Sequence, residues 1–199
     1  MGLQSLRELS HEIEKIYSEM GEAFSHFQNQ SNLACLPQCG ACCLAPTVEA
    51  SALEMLPLAL HLLDEGRAQE VLESLLDPPP SCIFYKKLND DGSKGFCGVY
   101  QKRPSLCRVF GAGARLNKAG VKELSLCKKI KEAHPAFLNQ DISEAPLMGL
   151  WKSRVRNLSF ALSIHDQAIN LSLREALEKV LLLADLETPD PIKPVDKVS

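Results

Sequence analysis

Cys35, Cys39, Cys42 and Cys43 spell a C-x3-C-x2-C-C run, and Cys82, Cys97, Cys107 and Cys127 follow it. Thiolates are soft donors. Short steps between cysteines bring several of them to one ion or cluster, which is the chemistry of thiolate-bound zinc and of iron–sulfur centres. The vicinal pair Cys42-Cys43 is the less usual element, because adjacent side chains leave the backbone in different directions. Either one of the two is spare or the centre is polynuclear. An even number of cysteines also suits disulfides in a secreted chain. Against that, charged residues interrupt the apolar ones throughout Met1 to Gln30, leaving no signal-peptide core, and 199 residues can bury a core without disulfide staples. The residues therefore favour a cytoplasmic chain that holds zinc or an iron–sulfur cluster over one cross-linked by disulfides.

The elements that must position these thiols read as mostly helical. Leu6, Leu9, Ile13, Ile16, Tyr17, Met20, Phe24 and Phe27 make one face of a long amphipathic helix, 3–28, ending before the polar run Asn29 to Asn32. After the cysteine turn, Thr47 is positioned to cap a helix carrying Leu53, Leu56, Leu60 and Leu63, which Gly66 breaks and Pro78-Pro79-Pro80 stops. Cys82 to Tyr85 and Phe96 to Tyr100, around an Asn89-Asp90-Asp91-Gly92 turn, predict a β-hairpin and the only sheet. A two-stranded hairpin is marginal in water, so this one must pack on helices or be pinned by metal through Cys82 and Cys97. Lys122 to Ala133 reads as a helix with Leu124, Cys127 and Ile130 on one side. Leu147, Leu150, Trp151, Val155, Leu158 and Leu162 form another stripe, and Ser172 and Glu175 form a capping box opening a last helix. The expected fold is mainly α: a helical bundle with one short β-hairpin and a Cys-rich metal-binding core. It would be one domain, 1–187, with the cysteine region at 35–127 flanked by helices 3–28 and 147–186, and a disordered tail at 188–199.

Composition excludes some functions. Hydrophobic residues are 45% and charged residues 24% of the chain, as in an ordinary soluble domain. A net charge of −3 leaves no basic footprint for nucleic acid. The most apolar helix candidate, 147–164, carries Lys152, Arg154 and Arg156, so no membrane span is expected.

The string from Cys97 to Phe110, Cys-Gly-Val-Tyr-Gln-Lys-Arg-Pro-Ser-Leu-Cys-Arg-Val-Phe, stands downstream of C-x3-C-x2-C-C. This order resembles the YkgJ-type cysteine-cluster proteins, also described as a zinc- or iron-chelating domain, with Cys82-Ile-Phe-Tyr85 as the intervening element. The likeness spans Cys35 to about Cys127, and the loop from Cys82 to Cys97 is longer than the usual one. The helices outside it carry no further likeness. The resemblance implies thiolate metal binding more than a particular reaction, although a similar cysteine set in larger enzymes, such as a flagellin lysine methylase, looks like an iron–sulfur site. No separate methyltransferase signature accompanies it here, and Gly111-Ala-Gly113-Ala reads as a flexible turn. Eight thiols exceed one tetrahedral zinc site, leaving two four-sulfur sites or one cluster with spare thiols, with Cys39, Cys42, Cys43, Cys97 and Cys107 the strongest ligands.

Arg103 and Arg108 flank Cys107, where they can offset the net negative charge of a thiolate-bound metal; the competing reading pairs them with Asp90, Asp91 or Glu123 at the surface. Pro37 and Gly40 favour a turn over a helical stripe of small core cysteines, whereas at Cys127 core packing competes with ligation. His134 reads as a capping or surface residue, and His11, His26, His61 and His165 as structural. Three functions stay open: a metal- or cluster-binding protein in a redox, carrier or accessory role, with a protein client or electron partner; a metal-dependent enzyme, for which Glu49 is the nearest general base in sequence; and a zinc-stapled interaction module.

Overall fold

The computed structural model describes residues 2–45, 48–92, 94–136 and 141–187; the expected tail, 188–199, lies outside them. Helix α1, Leu3–Ser31, buries Leu6, Ile13, Ile16, Tyr17, Met20, Phe24 and Phe27, so the stripe read from the sequence is the core stripe. The helix runs three residues past its expected end. It stops where Asn32 takes a left-handed conformation and its N–H closes on the Gln28 carbonyl.

A turn with Gln38 and Gly40 both at positive φ leads into the short helix α2, Ala41–Leu44, which carries Cys42 and Cys43. Strand β1, Glu49–Ala50, follows, and then α3, Ala52–Asp64. Here the expectation of a cap at Thr47 fails. Thr47 lies outside the described residues, and the helix opens at Ser51, whose hydroxyl accepts from the Glu54 N–H while the Glu54 carboxylate accepts from the Ser51 N–H. Residues 49 and 50 cannot join the helix because their extended backbone pairs with β6, Gln167–Ala168. Gly66 breaks the chain at positive φ, as expected, before α4, Ala68–Ser74.

A hairpin forms about the expected turn, but its strands are shifted: β2 is Tyr85–Lys87 and β3 is Gly95–Cys97, with Tyr85 opposite Cys97, so Cys82 lies ahead of β2 and Val99 and Tyr100 lie beyond β3. It is not the only sheet. After α5, Ser105–Val109, strands β4, Ala112–Leu116, and β5, Lys122–Leu126, make a second antiparallel hairpin where the sequence suggested a flexible turn and a helix. Leu124 and Leu126 alternate with polar residues, and Asn117 closes the turn by bonding Val121 and the Gly120 N–H. The helical part of that segment is only α6, Lys128–Ala133.

Helix α7, Met148–Arg156, is shorter than its apolar stripe implied, and Leu158 and Leu162 lie beyond it. Helix α8 is Ile169–Glu187. Ser172 does not cap it: the residue sits inside the helix, and its buried hydroxyl donates to the Ala50 carbonyl at 2.6 Å. Glu175 instead accepts from Ser163 N–H and the Gln167 amide.

Helix α3 packs on α8 and α1, and apolar side chains from all three form the main core. A second cluster, with Phe27, Leu33, Ala112, Ala114, Leu126 and Ile130, seats the β4–β5 hairpin and α6 on the C-terminal end of α1. The architecture is mainly α with small antiparallel strand pairs. Among the described residues, no helix is long and apolar enough to cross a membrane.

Candidate metal centre

Cys35, Cys39, Cys42, Cys43, Cys82, Cys97 and Cys107 line one cavity of about 380 Å³. Four parts of the chain deliver them. The 35–44 turn brings four, because the left-handed Gly40 lets the chain reverse and the Cys43 N–H closes on the Gly40 carbonyl at 2.9 Å. Cys82 is tied to that turn by its N–H, which donates to the Cys43 carbonyl at 3.0 Å. Hairpin β2–β3 places Cys97, and α5 carries Cys107.

The Tyr85 ring locks the hairpin to the turn. A Cβ added at Gly40 would stand 2.5 Å from Cε2 of Tyr85, and one at Gly95 would stand 2.3 Å from the same atom, so both glycines are seats for the ring. The φ of +57° at Gly40 and its contact with Tyr85 shape the turn that Pro37 and Gly40 led one to expect.

Within the cavity the neighbouring Cys43 thiol holds Cys42 down to about 7 and Cys97 down to about 6, with the Arg103 guanidinium lowering both further, while Cys43 itself is pushed up. Backbone N–H groups add to this: Val99 serves the Cys97 sulfur and Phe84 the Cys82 sulfur. Burial raises Cys82 to about 11, and it also raises Cys107 and Cys35.

Arg103 and Arg108 divide the work expected of both. The Arg103 guanidinium lies 3.5 Å from the centroid of the Tyr100 ring, its Nε donates to the Tyr100 carbonyl at 2.9 Å, and its charge favours the thiolates. Arg108 donates to the carbonyls of Arg103 and Gln101 and sits over the Tyr17 ring at 4.7 Å. It therefore ties down the turn ahead of Cys107. These hydrogen bonds go to the backbone, and Glu123 is engaged by Arg115 and Asn117.

A residue that the sequence reading missed joins this region to the core. Glu54 is fully buried, accepts from the Ser51 N–H and hydroxyl and from the Ser105 hydroxyl, and lies 3.9 Å from the Lys152 Nζ. Tyr17 donates to its carbonyl at 2.9 Å. The Ser51-x-x-Glu54 spacing is a capping box and was readable as such.

Cys127 stands apart from the cavity lining. Its sulfur accepts the Ile130 N–H and caps α6, and its apolar neighbours belong to the second core cluster. None of the five histidines lines the cavity. Glu49 is exposed and paired in β1 with Ala168.

Among the described residues, no three His, Cys, Asp or Glu side chains stand ready to hold a metal ion. The expected Cys-rich core is thus a gathering of donors around a chamber, without a closed cage. The donor set itself fits a thiophilic metal: soft sulfurs, two of them readily ionised, with N–H donors and a cation beside them. A family model described as a putative zinc- or iron-chelating domain, with a CxxCxxCC signature, matches residues 34–132. The first cysteine step here is one residue longer than in that signature. No curated protein and no solved structure matches the chain.

Proposed function

Since residues 34–132 belong to this cysteine-cluster family of zinc- or iron-chelating domains, we propose that the chain uses its cavity thiols to hold zinc or an iron–sulfur cluster, in a redox, carrier or accessory role. The observation that carries the reading is the convergence of seven thiols from four separate parts of the chain on one chamber. Buried cysteines acting only as small apolar residues have no reason to converge this way.

Cys39, Cys42, Cys43, Cys97 and Cys107 are the assigned ligands, with Cys82 on the same wall and Cys35 at the exposed edge. Cys127 is assigned to capping α6. Bound there, zinc would supply a structural or Lewis-acid centre and a cluster would supply electron transfer. The chain's own part is to present ionised sulfur at neutral pH. The Cys43 thiol and Arg103 favour the thiolates of Cys42 and Cys97, which spares the metal much of its competition with protons. Exposed Cys35 and the vicinal pair leave sulfur accessible to an electron partner or protein client, which supports the redox or carrier role over an inert staple.

Anaerobic purification followed by elemental analysis and an absorption spectrum tests the reading. Iron with charge-transfer absorption in the visible would support the cluster, and a colourless protein containing zinc would support the zinc site. Protein with neither metal overturns the proposal.

A further inference from the structure

The cavity is larger than a single metal ion needs. An ion bound by four sulfurs requires little more than the share of one water, about 30 Å³. The chamber holds about 380 Å³, inside the range of about 300–1,000 Å³ typical of small-molecule sites. Its lining is not all sulfur. Phe24, Met55, Leu58, Phe84 and Leu173 share it with the cysteines, and each of these is less than a tenth exposed, so the chamber reaches the core between α1, α3 and α8. Half-exposed Phe96 and Tyr100 frame the mouth.

A second observation points the same way. Gly21 lines the chamber from within α1, where glycine costs about 1 kcal/mol relative to alanine. A Cβ added there would meet no atom within 4 Å, so packing does not demand the glycine. Its absent side chain leaves the chamber open.

Charge narrows the occupant. Among the described residues lining the chamber, the only fixed charges are Arg103 and Arg108, and both are engaged with backbone carbonyls. Sulfurs bound to a metal are thiolates, and the two guanidiniums offset their net charge, so the chamber offers no surplus charge of either sign to a charged ligand. We propose that the chamber is the binding site for a small uncharged, largely apolar organic molecule, held against Phe24, Met55, Leu58 and Leu173 beside the metal-bearing thiols. The placement beside a metal rests on the function proposed above.

The test follows the methyl carbon resonance of Met55 in carbon-13 methionine-labelled protein as purified, titrated with toluene and with indole, with metal content measured on the same sample. Met20, buried in the core and outside the chamber lining, is the internal control. The Met55 signal is expected to move saturably while Met20 stays. Gly21→Phe should retain the metal and the fold and lose the response, whereas Gly21→Ala should keep it. No movement of Met55 with either probe, or equal movement in wild type and Gly21→Phe, overturns the proposal. A response in protein that carries no metal would uphold the site and remove the metal reading; metal without a response would do the reverse.

Discussion

The hydroxyl of Ser105, two residues before Cys107, donates to the fully buried carboxylate of Glu54, which is also the capping-box residue of α3. One carboxylate thus fixes the start of the central helix and the start of the helix that carries a candidate ligand. Glu54→Ala removes the cap partner and leaves buried donors unpaired, and is expected to cost about 2–4 kcal/mol by urea denaturation. Ser105→Ala is expected to cost less while still lowering metal affinity, because it frees only α5. Unchanged affinity in a folded Ser105→Ala protein would show that the contact does not position Cys107.

The thiol trio makes the metal-free protein respond to pH. Cys42 and Cys97 titrate below the ordinary thiol value, at about 7 and about 6, so their stabilisation is complete above about 9 and lost as pH falls through 7 and 6. Cys43, Cys82 and Cys107 are raised, so each opposes folding as pH climbs beyond 9. The stability of the reduced, metal-free protein relative to its Cys97→Ser variant is therefore expected to increase from pH 6 to pH 9. Iodoacetamide uptake at Cys42 and Cys97, resolved by peptide mapping, should rise with a midpoint near 6–7, and a midpoint near 9 at both sites would show that neither thiol is held down by its neighbours.

Gly40 and Gly120 separate turn strain from seating. Both have positive φ, but an added Cβ meets the Tyr85 ring only at Gly40 and open space at Gly120. Gly120→Ala is expected to lose about 1 kcal/mol and keep its metal. Gly40→Ala should lose more and release metal, since the ring must leave the turn that carries Cys42 and Cys43. Equal losses with metal retained in both would mean that the Tyr85 contact does not hold the centre.

What could be read before the structure was whatever repeats or punctuates locally. The α1 stripe from Leu6 to Phe27, the break at Gly66 and the hairpin around Tyr85 and Cys97 all follow from periodicity and turn residues. The β4–β5 hairpin was hidden because Leu124, Cys127 and Ile130 also fit a helical face, and its pairing with Ala112 and Ala114 is a longer-range choice. Ser172 looked like a cap for the same reason: its partner, the Ala50 carbonyl, is 122 residues away. The cysteines announced the chemistry of the site, but Phe24, Met55, Leu58 and Leu173 in its lining, and Glu54 as the partner of Ser105, lie apart from them in the chain.

Cys127 is the cysteine whose place in the fold most clearly departs from the ligand set suggested by spacing. Its sulfur accepts the Ile130 N–H at 3.5 Å as the N-cap of α6, a task that a serine hydroxyl performs at least as well. Cys127→Ser is therefore expected to leave metal stoichiometry unchanged and to alter stability by less than about 1 kcal/mol. Cys97→Ser and Cys107→Ser remove sulfur from the chamber and should each lower the bound metal and the melting temperature of the loaded protein. Elemental analysis and thermal melts of the three variants decide the matter, and loss of metal in Cys127→Ser to the level of Cys107→Ser would return Cys127 to the ligand set.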